Sequence, residues 1–267
     1  MSRPGAVETV RRSQSRISHV EEVMGTVVSF DVRLADPADA GDAAERIRAA
    51  CASLHEADDV FSTWNPMSAM SRVRSGTLAV GEAPPQVAEV LALCARVKTL
   101  SGGWFDPWAL PGGVDPTGLV KGWAAERALR ELEVPSIGAA LVNAGGDIAA
   151  FGRHDGADPW RIGIRHPWRP DRLACVVEVD AAVATSGTYE RGRHLFDPRT
   201  ASPGVRAASA TVTGPRLSVA DALATALAVG GDDALEAIGE LRGYEGYLVR
   251  PDGTERWTRD MPFAPTP

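Results

Sequence analysis

Apolar and polar residues alternate from Thr26 to Leu34. Val28, Phe30, Val32 and Leu34 fall on one face and Ser29, Asp31 and Arg33 on the other, which predicts a half-buried strand. Asp36-Pro37 then reads as an N-cap with proline at N1. Ile47, Cys51, Leu54 and Asp58 follow at turn spacing, predicting a helix toward Phe61. A second helix is expected after Pro84-Pro85, with Val87, Val90, Leu91, Cys94 and Val97 on one side and Ser101-Gly102-Gly103 as its stop. A third opens at Asp115 and runs through Trp123, Ala124 and Ala128 to about Glu131. Short β-rich stretches at 140–143, 175–179, 182–185, 194–196 and 209–213 are separated by Gly, Pro and Asp clusters, as in a meandering, largely antiparallel sheet. Helices over 218–229 and 232–241 precede a last strand over 245–249. With no repeat and no linker, the pattern describes one α+β domain with a mostly antiparallel sheet and packed helices.

A chain of 267 residues can bury such a core without cross-links. Its formal net charge of -7 supplies no basic field, which argues against nucleic-acid binding. Cys51, Cys94 and Cys175 are odd in number, far apart and set among apolar neighbours, as reduced thiols of a cytoplasmic protein would be. No two Cys or His residues have ligand spacing, so a zinc site is not expected. Residues 1–20 carry Arg3, Arg11, Arg12 and Arg16 among polar residues, without an apolar signal region or lipid-accepting cysteine. This stretch reads as a disordered N-terminal segment before a domain over 21–262, and the expectation is a cytoplasmic protein with no membrane insertion.

Three separated segments carry chemistry. In Asp115-Pro116-Thr117-Gly118-Leu119-Val120-Lys121-Gly122, Asp115 suits the N-cap and Pro116 suits N1, leaving the amides of Thr117 and Gly118 to face an anion. A helix start favours negative charge by roughly 0.3–1 kcal/mol at exposed positions, and Lys121 lies one turn on. Gly118 permits close approach to its backbone. The plain alternative is a capped helix with a solvated lysine. In Ala220-Asp221-Ala222-Leu223-Ala224-Thr225, Asp221 and Thr225 share a helix face and offer oxygen, the donor that Mg²⁺ selects. The alternative is an aspartate capping the helix after Ser218. His194, in His194-Leu195-Phe196-Asp197-Pro198, is a candidate base if a hydroxyl is to attack phosphorus. Trp64, Trp104, Phe105, Trp108 and Trp123 offer either stacking surfaces for a planar ring or core packing.

The order of these segments resembles the FAD:protein FMN transferases, the ApbE-type flavin transferases, from Val23 to about Val249. The matching stretches are Met24-Gly25-Thr26, Phe61-Ser62-Thr63-Trp64 with 68–72, Gly103-Trp104-Phe105-Asp106-Pro107, and the runs 115–124, 143–147, 184–189, 194–198 and 220–227. The resemblance implies a flavin-transferase fold and a Mg²⁺-dependent enzyme that moves the FMN half of FAD onto a Ser or Thr hydroxyl of an FMN-binding acceptor protein, releasing AMP. It implies that Asp221, Thr225 and the Gly118 carbonyl hold the metal. Met24, Trp64, Trp104, Phe105, Asp106, Asp115 and Lys121 would line the FAD site, and His194 would take the acceptor proton. The chain departs from the family pattern where Trp64 replaces a common Tyr, where the run Ser71-Arg72-Val73-Arg74 lacks an Asn, and where Gly118 stands for a small residue, often Ala. Many relatives are exported lipoproteins, so the missing export signal points to an acceptor that is cytoplasmic or faces the cytoplasm. Two rival readings need the same pocket: a Mg²⁺-dependent FAD pyrophosphatase giving FMN and AMP, and a non-catalytic FAD-binding protein.

Overall fold

A computed structural model of the chain describes residues 15–154, 158–187 and 196–265. The strands are β1 (Arg16–Val23), β2 (Thr26–Leu34), β3 (Ile137–Ala144), β4 (Asp147–Phe151), β5 (Trp160–His166), β6 (Arg169–Val179), β7 (Ala182–Gly187), the short β8 (Phe196–Asp197) and β9 (Ser202–Pro203), β10 (Ser209–Gly214), β11 (Glu245–Val249) and β12 (Glu255–Trp257). The α-helices are α1 (Ala40–Phe61), α2 (Ala69–Arg74), α3 (Pro85–Leu100), α4 (Thr117–Arg130), α5 (Leu217–Gly230) and α6 (Asp232–Gly239).

An eight-stranded sheet runs in the order β1-β2-β3-β4-β7-β10-β11-β12, antiparallel throughout. The two-residue period of its strands divides the core. Val28, Phe30, Ala140, Val142, Ala149, Ala182, Ala184, Ala210 and Leu248 pack against the helices. Their neighbours Ala139, Ile148, Ala150, Val183, Tyr247 and Val249 point the other way, onto Trp160, Ile164, Val177 and Val179 of the β5–β6 hairpin. The sheet is therefore covered on both faces, by helices and by a hairpin. At the centre of the helical layer lies α5, where every residue but Thr225 is buried.

Several elements differ from the sequence expectation. Residues 16–20, assigned above to the N-terminal segment, belong to β1, while residues 1–14 lie outside the described residues. Asp36 caps a 3₁₀ turn (Pro37–Asp39), accepting the Ala38 N–H at 2.9 Å, and α1 starts only after it. The N-cap of α4 is Pro116 rather than Asp115, and α4 starts at Thr117. The hairpin strand β5 and the edge strand β12 were not anticipated. Of the expected strand over 194–196, His194 and Leu195 lie outside the described residues.

Candidate functional site

The first turns of α4 and the middle of α5 cross closely because Gly122 lacks a side chain. A Cβ there would sit 2.7 Å from the Leu217 carbonyl oxygen and 3.0 Å from Asp221 Cβ. The crossing lets Gly122 donate its backbone N–H to Asp221 Oδ2 at 3.0 Å. In a regular α-helix that amide is the partner of the Gly118 carbonyl. One turn along α5, Thr225 Oγ1 lies 3.6 Å from the position a Cβ on Gly118 would take, and 3.5 Å from Ser186 Oγ at the end of β7. Asp221 is 4% exposed, so its carboxylate is withdrawn from bulk water. A carboxylate, a hydroxyl and a backbone carbonyl brought together from two helices make an all-oxygen donor set. That is the chemistry a hard cation such as Mg²⁺ requires, with positions left for water and substrate. The three residues expected to hold the metal therefore fit it.

The adjoining face of α4 lines a cavity of about 420 Å³. Its walls are Thr117, Val120 and Lys121 of α4, Ala57, Asp58 and Phe61 of α1, the following Ser62, Thr63 and Trp64, and the Met24-Gly25 turn. Both turn residues have positive φ, 54° at Met24 and 65° at Gly25, as a two-residue hairpin turn of the right twist demands. Met24 holds this uncommon conformation while its N–H donates to Asp58 Oδ2 at 3.1 Å. Trp64 is 95% exposed at the cavity rim. Lys121 pairs with the buried carboxylate of Asp147, whose other oxygen accepts the Thr185 N–H at 3.0 Å. A larger cavity of about 610 Å³ lies against Asp31, Leu141, His154 and Trp160, and it contains none of the oxygen donors of α5.

The remaining residues expected to line the FAD site are not among those lining either cavity. Trp104, 2% exposed, packs against Gly230 at the end of α5, with the Arg199 and Arg206 guanidinium carbons 3.5 and 4.6 Å from its ring centroid. Phe105 is buried with its ring beside Gly118. Asp106 pairs with Lys98 at 2.7 Å and accepts the Trp108 N–H. Asp115 pairs with Arg74 at 2.9 Å and accepts both the N–H and the hydroxyl of Thr117. The Thr117 amide, expected to face an anion, is thus already engaged. His194 lies outside the described residues.

Sequence reasoning missed Asp58, Arg74, Gly122, Asp147 and Ser186. Asp58 stood in the periodic stripe of α1, and Asp147 ended the matching run 143–147, but neither pattern named a partner. Gly122 carried no local signal, because its requirement comes from α5.

The chain matches the family model described as the ApbE family over residues 24–112 and 109–248. A FAD:protein FMN transferase of Rhodobacter capsulatus is 34% identical over 158 residues, covering 55% of this chain and 30% of that protein. One from Vibrio cholerae is 34% identical over 138 residues, covering 48% of this chain and 41% of that protein. The chain spans less than half the length of these curated relatives. Among solved structures, the flavin transferase ApbE from Vibrio cholerae superposes with a TM-score of 0.77 at 22% identity, covering 92% of this chain and 98% of that one. The fold is shared.

Proposed function

Because the chain belongs to the ApbE family, we propose that it is a Mg²⁺-dependent FAD:protein FMN transferase, with FAD as substrate and an FMN-binding protein bearing a target Ser or Thr as acceptor. The observation that carries this reading is the approach of Asp221 and Thr225 of α5 to Gly118 and Gly122 of α4, beside the cavity that Lys121 faces.

In this reading the cavity receives FAD. Met24 and Trp64 flank the planar ring, and the indole stacks without supplying the hydroxyl of a tyrosine. Lys121, steadied by Asp147, balances pyrophosphate charge. Trp104, Phe105, Asp106 and Asp115 act from outside the cavity lining: the Phe105 ring supports Gly118, and Asp115, held by Arg74, fixes the start of α4. Asp221, Thr225 and the Gly118 carbonyl hold Mg²⁺, which when bound neutralises charge on the transferred phosphorus and the leaving AMP, a contribution of several kcal/mol.

His194 accepts the proton of the acceptor hydroxyl as its oxygen bonds to the FMN phosphorus. The bond from that phosphorus to the AMP oxygen breaks, and AMP departs with the electron pair. We assign this activity to the unit over 21–262, extended at its N-terminal edge to Arg16 by β1. All three cysteines are free, which supports a cytoplasmic setting; among the described residues no helix is long and apolar enough to cross a membrane.

The test is intact-mass spectrometry of an FMN-binding acceptor domain after incubation with this chain, FAD and Mg²⁺. The expected result is a mass gain of FMN minus water that EDTA abolishes. Free FMN and AMP without a gain would mark a pyrophosphatase, and unchanged FAD would overturn the enzymatic reading.

A further inference from the structure

Outside the cavity, β1 and α1 bring a second set of donors together. His19 and Glu21, two apart on a strand, share the face of β1 that also carries Ile17 and Val23. Cys51 and His55, four apart, share a face of α1. His19 Nε2 lies 3.2 Å from Glu21 Oε2, and His55 Nε2 lies 2.7 Å from Glu21 Oε1. The donor atoms of His19, Glu21 and Cys51 all lie within 4.8 Å of one another.

We propose that His19, Glu21 and Cys51 form a binding site for a borderline divalent cation, Zn²⁺ foremost, with His55 steadying the Glu21 carboxylate through its second oxygen. Imidazole nitrogen, carboxylate oxygen and thiolate sulfur suit Zn²⁺ and its neighbours, whereas Mg²⁺ selects oxygen alone. Zinc–ligand bond lengths place the ligands of a tetrahedral site about 3.3–3.8 Å apart, so the cluster needs only a small closure. The floor is fixed, because Cys51 is 9% exposed. The movable side is open, since the His19 and Glu21 side chains are 41% and 26% exposed. A fourth position remains for water. Binding exchanges the Cys51 thiol proton for the metal and releases it to solvent. Three residues beyond Glu21 and His55 come Met24 and Asp58, whose hydrogen bond shapes the cavity wall. The cation would brace the hairpin there without touching the oxygen donors of α5.

The test is a Co²⁺ titration of the full chain, stripped with EDTA and dialysed free of it. The expected result is stoichiometric binding with thiolate-to-cobalt charge transfer and tetrahedral ligand-field absorption, displaced by Zn²⁺ and unaffected by excess Mg²⁺. Cys51→Ser should abolish the charge-transfer band, while Cys94→Ser and Cys175→Ser should retain it. Since Cys51 is buried, circular dichroism accompanies that variant, and His19→Ala tests the site at a position partly open to solvent. His19→Ala should lose tight binding, and His55→Ala should weaken it about 10- to 100-fold, as expected for a group that orients a ligand. Absence of the charge-transfer band in the native chain, its survival in folded Cys51→Ser, or native affinity in His19→Ala would overturn the assignment. None of these readouts depends on flavin transfer.

Discussion

Asp221 accepts the backbone N–H of Gly122 at 3.0 Å, across 99 positions of sequence. The carboxylate thus has a structural task, pinning α4 to α5, beside its proposed task of holding Mg²⁺. Asp221→Asn separates the two, because the amide oxygen still accepts from Gly122 while the negative charge is gone. Its thermal midpoint should stay near that of the native chain while Mg²⁺-stimulated transfer falls about 10³-fold or more, the scale of losing several kcal/mol of metal stabilisation. Initial rates across a Mg²⁺ series decide it. An unaltered metal response would sink the ligand assignment.

Gly122→Ala places a methyl group against the Leu217 carbonyl oxygen and Asp221 Cβ, at 2.7 and 3.0 Å. The neighbours are a helix backbone and a buried side chain, so the helices must part. A loss of about 1–3 kcal/mol, typical of overpacking, is expected in urea denaturation, with activity falling alongside. Native stability in this variant would contradict the close crossing.

Lys121 faces the cavity and pairs with Asp147, whose side chain is 1% exposed. Lys121→Met should weaken FAD binding and also destabilise the fold by about 3 kcal/mol, because removing one partner strands a buried carboxylate. Adding Asp147→Asn should restore stability but not FAD affinity. A double-mutant cycle by urea titration and isothermal calorimetry separates the effects, and additive stability losses would mean the two residues are not coupled.

His194→Ala should leave FAD affinity intact and slow transfer by about 10² to 10⁴-fold, the usual contribution of a positioned base. The comparison is FAD titration against single-turnover acceptor labelling. Full-speed transfer would transfer the base role to another group.

Burial, with a smaller contribution from Asp115, pushes the Cys94 thiol from 9.0 up to about 12. Above pH 9 the unfolded chain therefore gives up a proton that the native chain keeps. Stability from this group is complete below the unfolded value and declines as pH rises toward about 12, by up to about 1.4 kcal/mol per pH unit. Urea midpoints measured up an alkaline series should fall less steeply for Cys94→Ala than for the native chain. Equal slopes would show that Cys94 is not held as a thiol.

What could be read from the sequence follows how far each residue's environment is set by its neighbours in the chain. The faces of β2 and α3 were legible because Val28, Phe30, Val32 and Leu34, and Val87, Val90, Cys94 and Val97, all face one core. The spacing of Asp221 and Thr225 was legible because both lie on one helix. By contrast, β1 was hidden because its inward face carries His19 and Glu21, which answer to Cys51 and His55 of α1 and break the apolar alternation. For the same reason, the convergence of Cys51 and His55 on Glu21 did not register. Trp104 looked like a stacking platform, yet its ring lies between Gly230 and two arginines, a setting built by residues more than ninety positions downstream.

The central place of α5 also bears on biosynthesis. The cavity walls come from Met24 through Lys121, whereas Asp221 and Thr225 lie on a helix that begins at Leu217. A ribosome will have made most of the polypeptide before either oxygen donor exists, and α5 must then enter the middle of the helical layer. Nascent or prematurely terminated chains would carry the pocket-forming segments without the two α5 oxygen donors to which the proposed reading gives the metal.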